Sequence, residues 1–99
     1  MRLKDSSVKP TGLHPKLIEA LFVADELHRK ATGKELTVTS LNDGKHKQGS
    51  LHYVGQAADL RTWALPRPDL FTTELQQALG NQYDVVLEID HIHLEYDPR

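Results

Sequence analysis

The fold is decided by residues 83–96, which read Tyr83-Asp84-Val85-Val86-Leu87-Glu88-Ile89-Asp90-His91-Ile92-His93-Leu94-Glu95-Tyr96. Residues 83–88 and 92–96 are rich in the β-branched, aliphatic and aromatic side chains that favour strands. A tight turn near residues 89–91 would join them as an antiparallel pair. Within residues 92–96 apolar and polar side chains alternate, so one face of this strand is expected to point to the core.

Two upstream segments have the apolar spacing of helices that lie on a core. Pro15 opens the first helix, at a position where a missing backbone N–H is tolerated, and Gly33 ends it. Pro68 starts the second helix, which covers residues 69–79 and stops at Gly80. The side chains expected to face the core are Leu17, Ile18, Leu21, Phe22 and Leu27 in the first helix and Leu70, Phe71, Leu75 and Leu79 in the second.

The remaining regular segments are two strands, at residues 36–39 and 57–63. Residues 1–12 are mostly polar and are expected to form an extended lead-in. Two helices on one face of a small, mainly antiparallel sheet is the economical arrangement of these elements, which predicts the α+β class. Residues 1–99 have the length of a single domain.

The composition limits the functions that such a domain can have. The 99 residues include 12 Lys and Arg against 14 Asp and Glu, six His and no Cys. A net charge of −2 argues against a nucleic-acid binder, since such domains usually carry a strongly basic face. No run approaches the ~20 apolar residues that a membrane span needs. Without cysteine, a bound metal would be held by imidazole and carboxylate groups.

Most of the unusual polar residues lie in two segments, residues 50–59 and residues 88–95. The first segment contains His52 and Asp59. These residues are seven apart, so a straight strand would direct them to opposite faces. Gly55 lies between them, and a bend there would bring the imidazole and the carboxylate to one point. Taken alone, the pair is better explained as a surface histidine and an ordinary strand-end aspartate.

The second segment places His91, His93 and Glu95 on one face of a strand. Alone, it is better explained as a strand with its polar side in solvent. A turn near residues 89–91 would bring Asp90 into the same site as His93. The two segments together then supply two imidazoles, a carboxylate and a spare acid. Three protein ligands and an open fourth position are typical of catalytic zinc sites, where a nearby carboxylate handles the proton.

The pattern Ser50-x-His52-x-x-Gly55-x-Ala57-x-Asp59, followed by Asp90-x-x-His93-x-Glu95, resembles the zinc D-Ala-D-Ala carboxypeptidase family. That family includes phage L-Ala-D-Glu endopeptidases, and the hedgehog signalling domain shares its fold. The resemblance implies a hedgehog-like peptidase fold in which His52, Asp59 and His93 bind Zn²⁺. It also implies that Asp90 is the catalytic base and that Ser50 lies at the rim of the substrate cleft.

One departure from the family pattern concerns substrate binding. Many members carry a Ser-Gly-Tyr-Arg stretch whose arginine contacts the substrate, whereas residues 39–46 contain no arginine. Lys45 or His46 could supply that charge, although a lysine lacks the bidentate fork of an arginine.

The second departure is a repeated spacing, because Glu88 and His91 are as far apart as Asp90 and His93. The apolar residue and the acid that follow His93 match the family pattern, which favours Asp90 over Glu88 as the base. His91 then either contacts the substrate or faces solvent.

The predicted function is a zinc metallopeptidase that hydrolyses stem peptides of bacterial peptidoglycan, at a D-Ala-D-Ala or an L-Ala-D-Glu bond. The alternative is a non-catalytic peptidoglycan-binding module that retains the fold and the metal site. No apolar stretch follows the charged N-terminal residues, so no secretory signal peptide is predicted. We expect synthesis in the cytoplasm and an endolysin-like, phage-type release to the cell wall.

Four further residues have predicted positions outside this site. His14 and His28 are expected to lie in solvent at the first helix. Trp63 is expected to pack near a strand end, and Arg61 is placed to pair with an acid.

Overall fold

The computed structural model describes residues 1–41 and 56–98, which form two helices and one five-stranded sheet. In chain order the elements are β1 (Arg2–Leu3), α1 (Pro15–Thr32), β2 (Thr37–Leu41), β3 (Ala57–Arg61), α2 (Pro68–Leu79), β4 (Tyr83–Leu87) and β5 (His91–Tyr96). The sheet order is β1-β2-β3-β5-β4. Only β1 and β2 are parallel among these neighbours, so the predicted α+β class with a mainly antiparallel sheet is confirmed.

The helix ends follow from local chemistry. Pro15 is the first residue of α1, and the side chain of His14 caps this end by accepting a hydrogen bond from the Lys16 N–H at 3.0 Å. Gly33 follows the last turn with φ 74°, a left-handed conformation that favours glycine. Both boundaries agree with the prediction. His14, predicted to lie in solvent, is instead half-buried, and its ring centroid lies 4.9 Å from that of Tyr96.

The apolar core lies between the helices and one face of the sheet. Its fully buried strand residues are Val38, Leu60, Ile92 and Leu94, all 0% exposed. Leu17 of α1 and Leu75 of α2 are likewise 0% exposed. The inward alternation predicted for β5 is therefore confirmed, and Tyr96 packs against this core while partly buried.

The buried stripe of α1 is rotated relative to the predicted one. It consists of Leu17, Ala20, Leu21, Ala24 and His28. Ile18 and Phe22 lie one residue past stripe positions, about 100° around the helix, and are 38% and 60% exposed. In α2, Leu70 is also exposed, while Phe71 and Leu75 are buried as predicted.

His28 is buried and not solvated, which corrects its predicted position. It lies four residues after Ala24 on the inward stripe and is 3% exposed. Its Nδ1 is 2.7 Å from the carbonyl oxygen of Lys34, and the Thr32 hydroxyl lies 3.2 Å away. These neighbours satisfy a polar ring that would otherwise be costly to bury.

Residues 1–12 do more than extend along the surface. The Arg2 N–H donates to the Leu36 carbonyl at 2.8 Å, and the Lys4 N–H donates to the Val38 carbonyl at 2.9 Å, which adds a parallel edge strand to β2. Val8 is 3% exposed and belongs to the core.

The two predicted C-terminal strands form the hairpin that the sequence indicates. β4 and β5 pair antiparallel, and the Glu88 N–H donates to the His91 carbonyl at 2.8 Å across the turn. Neither helix in the described part of the chain is long and apolar enough to cross a membrane.

Candidate metal centre

The register of β3 and β5, which are neighbours in the interior of the sheet, brings Asp59 and His93 together on the open face. Asp59 of β3 lies directly opposite His93 of β5. Asp59 Oδ1 and His93 Nδ1 are 3.2 Å apart, although the residues are 34 positions apart in the chain. The sequence predicts both as ligands of one metal, and the fold places them in contact.

His91 and Glu95 extend this contact along β5. His91 Nε2 lies 3.6 Å from Asp59 Oδ1, and His93 Nε2 lies 3.0 Å from Glu95 Oε1. The predicted common face of His91, His93 and Glu95 is therefore observed. Asp59 lies near both imidazoles and Glu95 lies near His93, so each imidazole has a carboxylate as a neighbour.

The electrostatics of the pair centre on His93. The hydrogen bond with Asp59 raises the pKa of His93 to about 9, against the opposing effect of burial, and Glu95 adds to the rise. In the metal-free protein the ring is therefore protonated at neutral pH, with one nitrogen facing each carboxylate. A metal ion would have to displace that proton to use the nitrogen as a ligand.

Asp90, the predicted base, lies in the β4–β5 turn with its side chain 83% exposed. Its Oδ1 is 2.7 Å from His91 Nδ1, and this hydrogen bond lowers the pKa of Asp90 below its usual value. The Thr62 hydroxyl donates to the Asp90 carbonyl at 3.4 Å, which links the turn to the residue after β3. Asp90 thus contacts His91 and not the predicted ligand His93.

Asp59, Asp90 and His91 nevertheless line one cavity of about 240 Å³ on the open face. The predicted ligand and the predicted base therefore face the same space. The predicted ligand His52 and the predicted substrate contacts Ser50, Lys45 and His46 lie outside the described residues.

The donor types of the described pair suit zinc. Carboxylate oxygen and imidazole nitrogen are both common zinc ligands, and both residues are held on strands with a neighbour on either side. His52 would be the third ligand by the sequence pattern.

An acidic cluster that the sequence did not predict lies beside this pair. Asp84 of β4 lies opposite Glu95, and with Asp97 they form the one group of three potential ligands in the described residues whose atoms lie within 4.8 Å of one another. All-oxygen sets of this kind are typical of hard cations, and exposed acidic groups are common without any ion. The cross-strand register, which sequence alone does not give, is what brings Asp84 into the group.

Arg61 and Trp63, which follow Asp59 in the chain, have surroundings that differ from the predicted ones. Trp63 is 78% exposed and does not pack in the core, because β3 ends at Arg61 and a turn carries the chain into solvent. Arg61 forms no ion pair with any acid of the described residues, and its Nε is buried without a hydrogen-bond partner. The guanidinium instead lies over the ring of Trp63.

Comparisons with protein family models, with curated proteins and with solved structures found no match to this chain.

Proposed function

We propose that the protein is a zinc-dependent peptidase of the hedgehog-like peptidase fold that hydrolyses peptidoglycan stem peptides. The observation that carries the proposal is the contact between Asp59 and His93 on neighbouring interior strands. It joins the two halves of the sequence pattern at one point of the open face. The phage-type release to the cell wall belongs to the same proposal.

Asp59 and His93 would hold the metal, together with His52 from the sequence pattern. Bound Zn²⁺ supplies a Lewis acid that polarises the scissile carbonyl and lowers the pKa of water to about 7. The side chains set the geometry, because β3 and β5 fix the carboxylate and the imidazole before any ligand arrives.

Asp90 has the protonation state that a general base needs. The carboxylate is charged at neutral pH and can accept a proton from water, and its hydrogen bond with His91, which lowers its pKa, makes it a weaker base than a free aspartate. In the hydrolysis, the water oxygen bonds to the carbonyl carbon and the C–N bond breaks. Asp90 transfers the proton from the water to the leaving amine. His91 is a positioning residue that orients the Asp90 carboxylate.

The first test is zinc stoichiometry, measured by elemental analysis after reconstitution and removal of loose metal. We expect about one zinc ion per chain, by the ligand count of catalytic sites. Asp59→Asn should weaken zinc binding by more than the ~10- to 100-fold that loss of an outer-shell partner causes, because it removes a ligand itself. His52→Ala should have the same effect.

The matched control is Asp97→Asn, which removes an acid of the neighbouring cluster and leaves the Asp59–His93 pair intact. Zinc bound by Asp97→Asn as by the unmodified chain supports the assignment. Loss of zinc from Asp97→Asn with retention in Asp59→Asn would place the metal in the acidic cluster and contradict it.

The second test is cleavage of purified peptidoglycan fragments, followed by mass spectrometry of the products, which also identifies the bond. Asp90→Asn should retain zinc and lose about 100- to 10,000-fold in rate, the usual contribution of a general base. If Glu88→Gln is the inactive variant instead, the alternative register is correct. Zinc-loaded protein that binds the fragments without releasing new amino groups would establish the binding module in place of the peptidase.

A further inference from the structure

The open face has a second polar region, centred on Arg61, that the proposed peptidase chemistry does not use. Arg61 is the last residue of β3, two positions after Asp59 and on the same face of the strand. Its Nε is buried and lacks a hydrogen-bond partner. A buried donor without a partner is unfavourable, more so on a charged group, which indicates that a ligand acceptor belongs beside it.

Trp63 holds this guanidinium in place. The guanidinium carbon lies 3.8 Å from the centroid of the indole ring, a close cation–π contact. Stacking uses the face of the guanidinium, so its in-plane N–H groups are directed away from the ring, and those of the terminal nitrogens can pair with a planar acceptor. Trp63 is 78% exposed, so the pair forms a surface platform and not a core contact.

A cavity of about 350 Å³ opens beside this platform, a volume within the range of small-molecule sites. Among the described residues, its wall includes three cations, Arg2, Lys34 and Arg61, and one acid, Glu35. Glu35 already pairs with Arg29 at 3.3 Å and with the N-terminal amine at 3.2 Å. Within the described part of the chain, no carboxylate forms an ion pair with the three cations. The wall therefore has an uncompensated positive charge.

We propose that this cavity is an oxyanion-binding site, in which Arg61 on its Trp63 platform binds a carboxylate or phosphate group of a small ligand. Arg2 and Lys34 supply the remaining positive charge. Because Arg61 and Trp63 also line the smaller cavity that contains Asp59, the bound ligand lies beside the candidate metal centre. The binding itself requires neither a metal nor peptidase activity.

Ligand binding can be measured by the fluorescence of Trp63, because it is the single tryptophan of the sequence. We would titrate the full-length chain with inorganic phosphate, with N-acetyl-D-alanyl-D-alanine and with the C-terminal amide of the same dipeptide, and follow tryptophan fluorescence. We expect a saturable change with at least one of the two anions and none with the uncharged amide. The anion that binds more tightly identifies the oxyanion class.

The variant that tests the assignment is Arg61→Gln, which should weaken anion binding by about tenfold or more, because charge-assisted hydrogen bonds are lost. Arg61→Lys should bind more weakly than the unmodified chain, since it keeps the charge without the fork. The matched control is Arg67→Gln, because Arg67 is an exposed arginine that pairs with Asp69 outside the cavity. Its binding should be unchanged.

The result that overturns the proposal is the absence of saturable anion binding, equal binding of the amide, or equal affinity in Arg61→Gln. If Arg61→Gln does not fold, Lys34→Gln at an exposed position takes its place and should also weaken binding. If the unmodified chain binds the anion but cleaves no peptidoglycan fragment, that result would contradict only the proposed function.

Discussion

The two faces of the sheet differ in chemistry although the same strands form both. On β3 and β5, Leu60 and Leu94 point to the core and are 0% exposed, whereas their sequence neighbours Asp59 and His93 are about a third exposed on the open face. Alternation along a strand thus places the residues that stabilise the fold one position away from those of the candidate metal centre. Substitutions on the two faces should therefore have separable effects.

The largest expected effect is that of Leu94→Ala on the buried face. Removing this side chain leaves a cavity between the sheet and the helices, which should lower the free energy of unfolding by about 2–5 kcal/mol. The measurement is urea-induced unfolding followed by circular dichroism, in the presence of a chelator so that metal binding does not contribute.

Val86→Ala is the matched control on the open face, because Val86 lies opposite His93 and is 45% exposed. Its loss should stay below about 1 kcal/mol, since little apolar area leaves a buried site. Equal losses from the two variants would show that the open face is also covered and would contradict this difference between the two faces.

A smaller effect comes from a charge on the buried side, at Asp25 of α1. Burial opposes ionisation of this carboxyl, but hydrogen bonds from the Leu36 N–H and from Arg29, and the N-terminal amine, lower its pKa to about 2. A lowered folded-state pKa gives stability that is present above about pH 4 and lost as the pH falls through about 2. We expect up to about 2 kcal/mol of acid-dependent destabilisation from this group.

The check is the free energy of unfolding of the unmodified chain and of Asp25→Asn between about pH 5 and pH 2. The difference between the two should shrink as the pH falls. Glu26→Gln, at an exposed position of the same helix, should leave the pH dependence unchanged. A difference that does not vary with pH would show that Asp25 contributes no proton-linked stability.

The smallest effect is expected at Phe22, which the sequence predicts in the core and the structure places 60% exposed. Phe22→Gln should change the free energy of unfolding by less than about 0.5 kcal/mol, as surface substitutions usually do. A loss comparable to that of Leu94→Ala would mean that α1 buries the predicted stripe after all.

Local chemistry explains what the sequence predicts well. Pro15 and Gly33 determine the ends of α1 through a missing N–H and a left-handed conformation, which are properties of single residues. The alternation in residues 91–96 likewise identifies both faces of β5. The common face of His91, His93 and Glu95 follows from that alternation alone.

Tertiary contacts explain what the sequence predicts poorly. The rotation of α1 depends on which of several overlapping apolar stripes meets the sheet, and the sequence offers both Leu17–Ala20–Leu21–Ala24 and a stripe through Ile18 and Phe22. β1 contains two residues, too few for a periodic signal. The contact of Asp90 with His91 depends on the exact path of the turn, and the grouping of Asp84 with Glu95 depends on the strand register.

The position of the candidate ligands within the sheet has a consequence for hydrogen exchange. β3 and β5 each have a hydrogen-bonded neighbour on both sides, whereas β1 and β4 are edge strands. Amide hydrogens of β3 and β5 should therefore exchange mainly through global unfolding, while those of the edge strands exchange through local opening. The backbone segments that carry Asp59 and His93 would then stay paired for as long as the protein is folded.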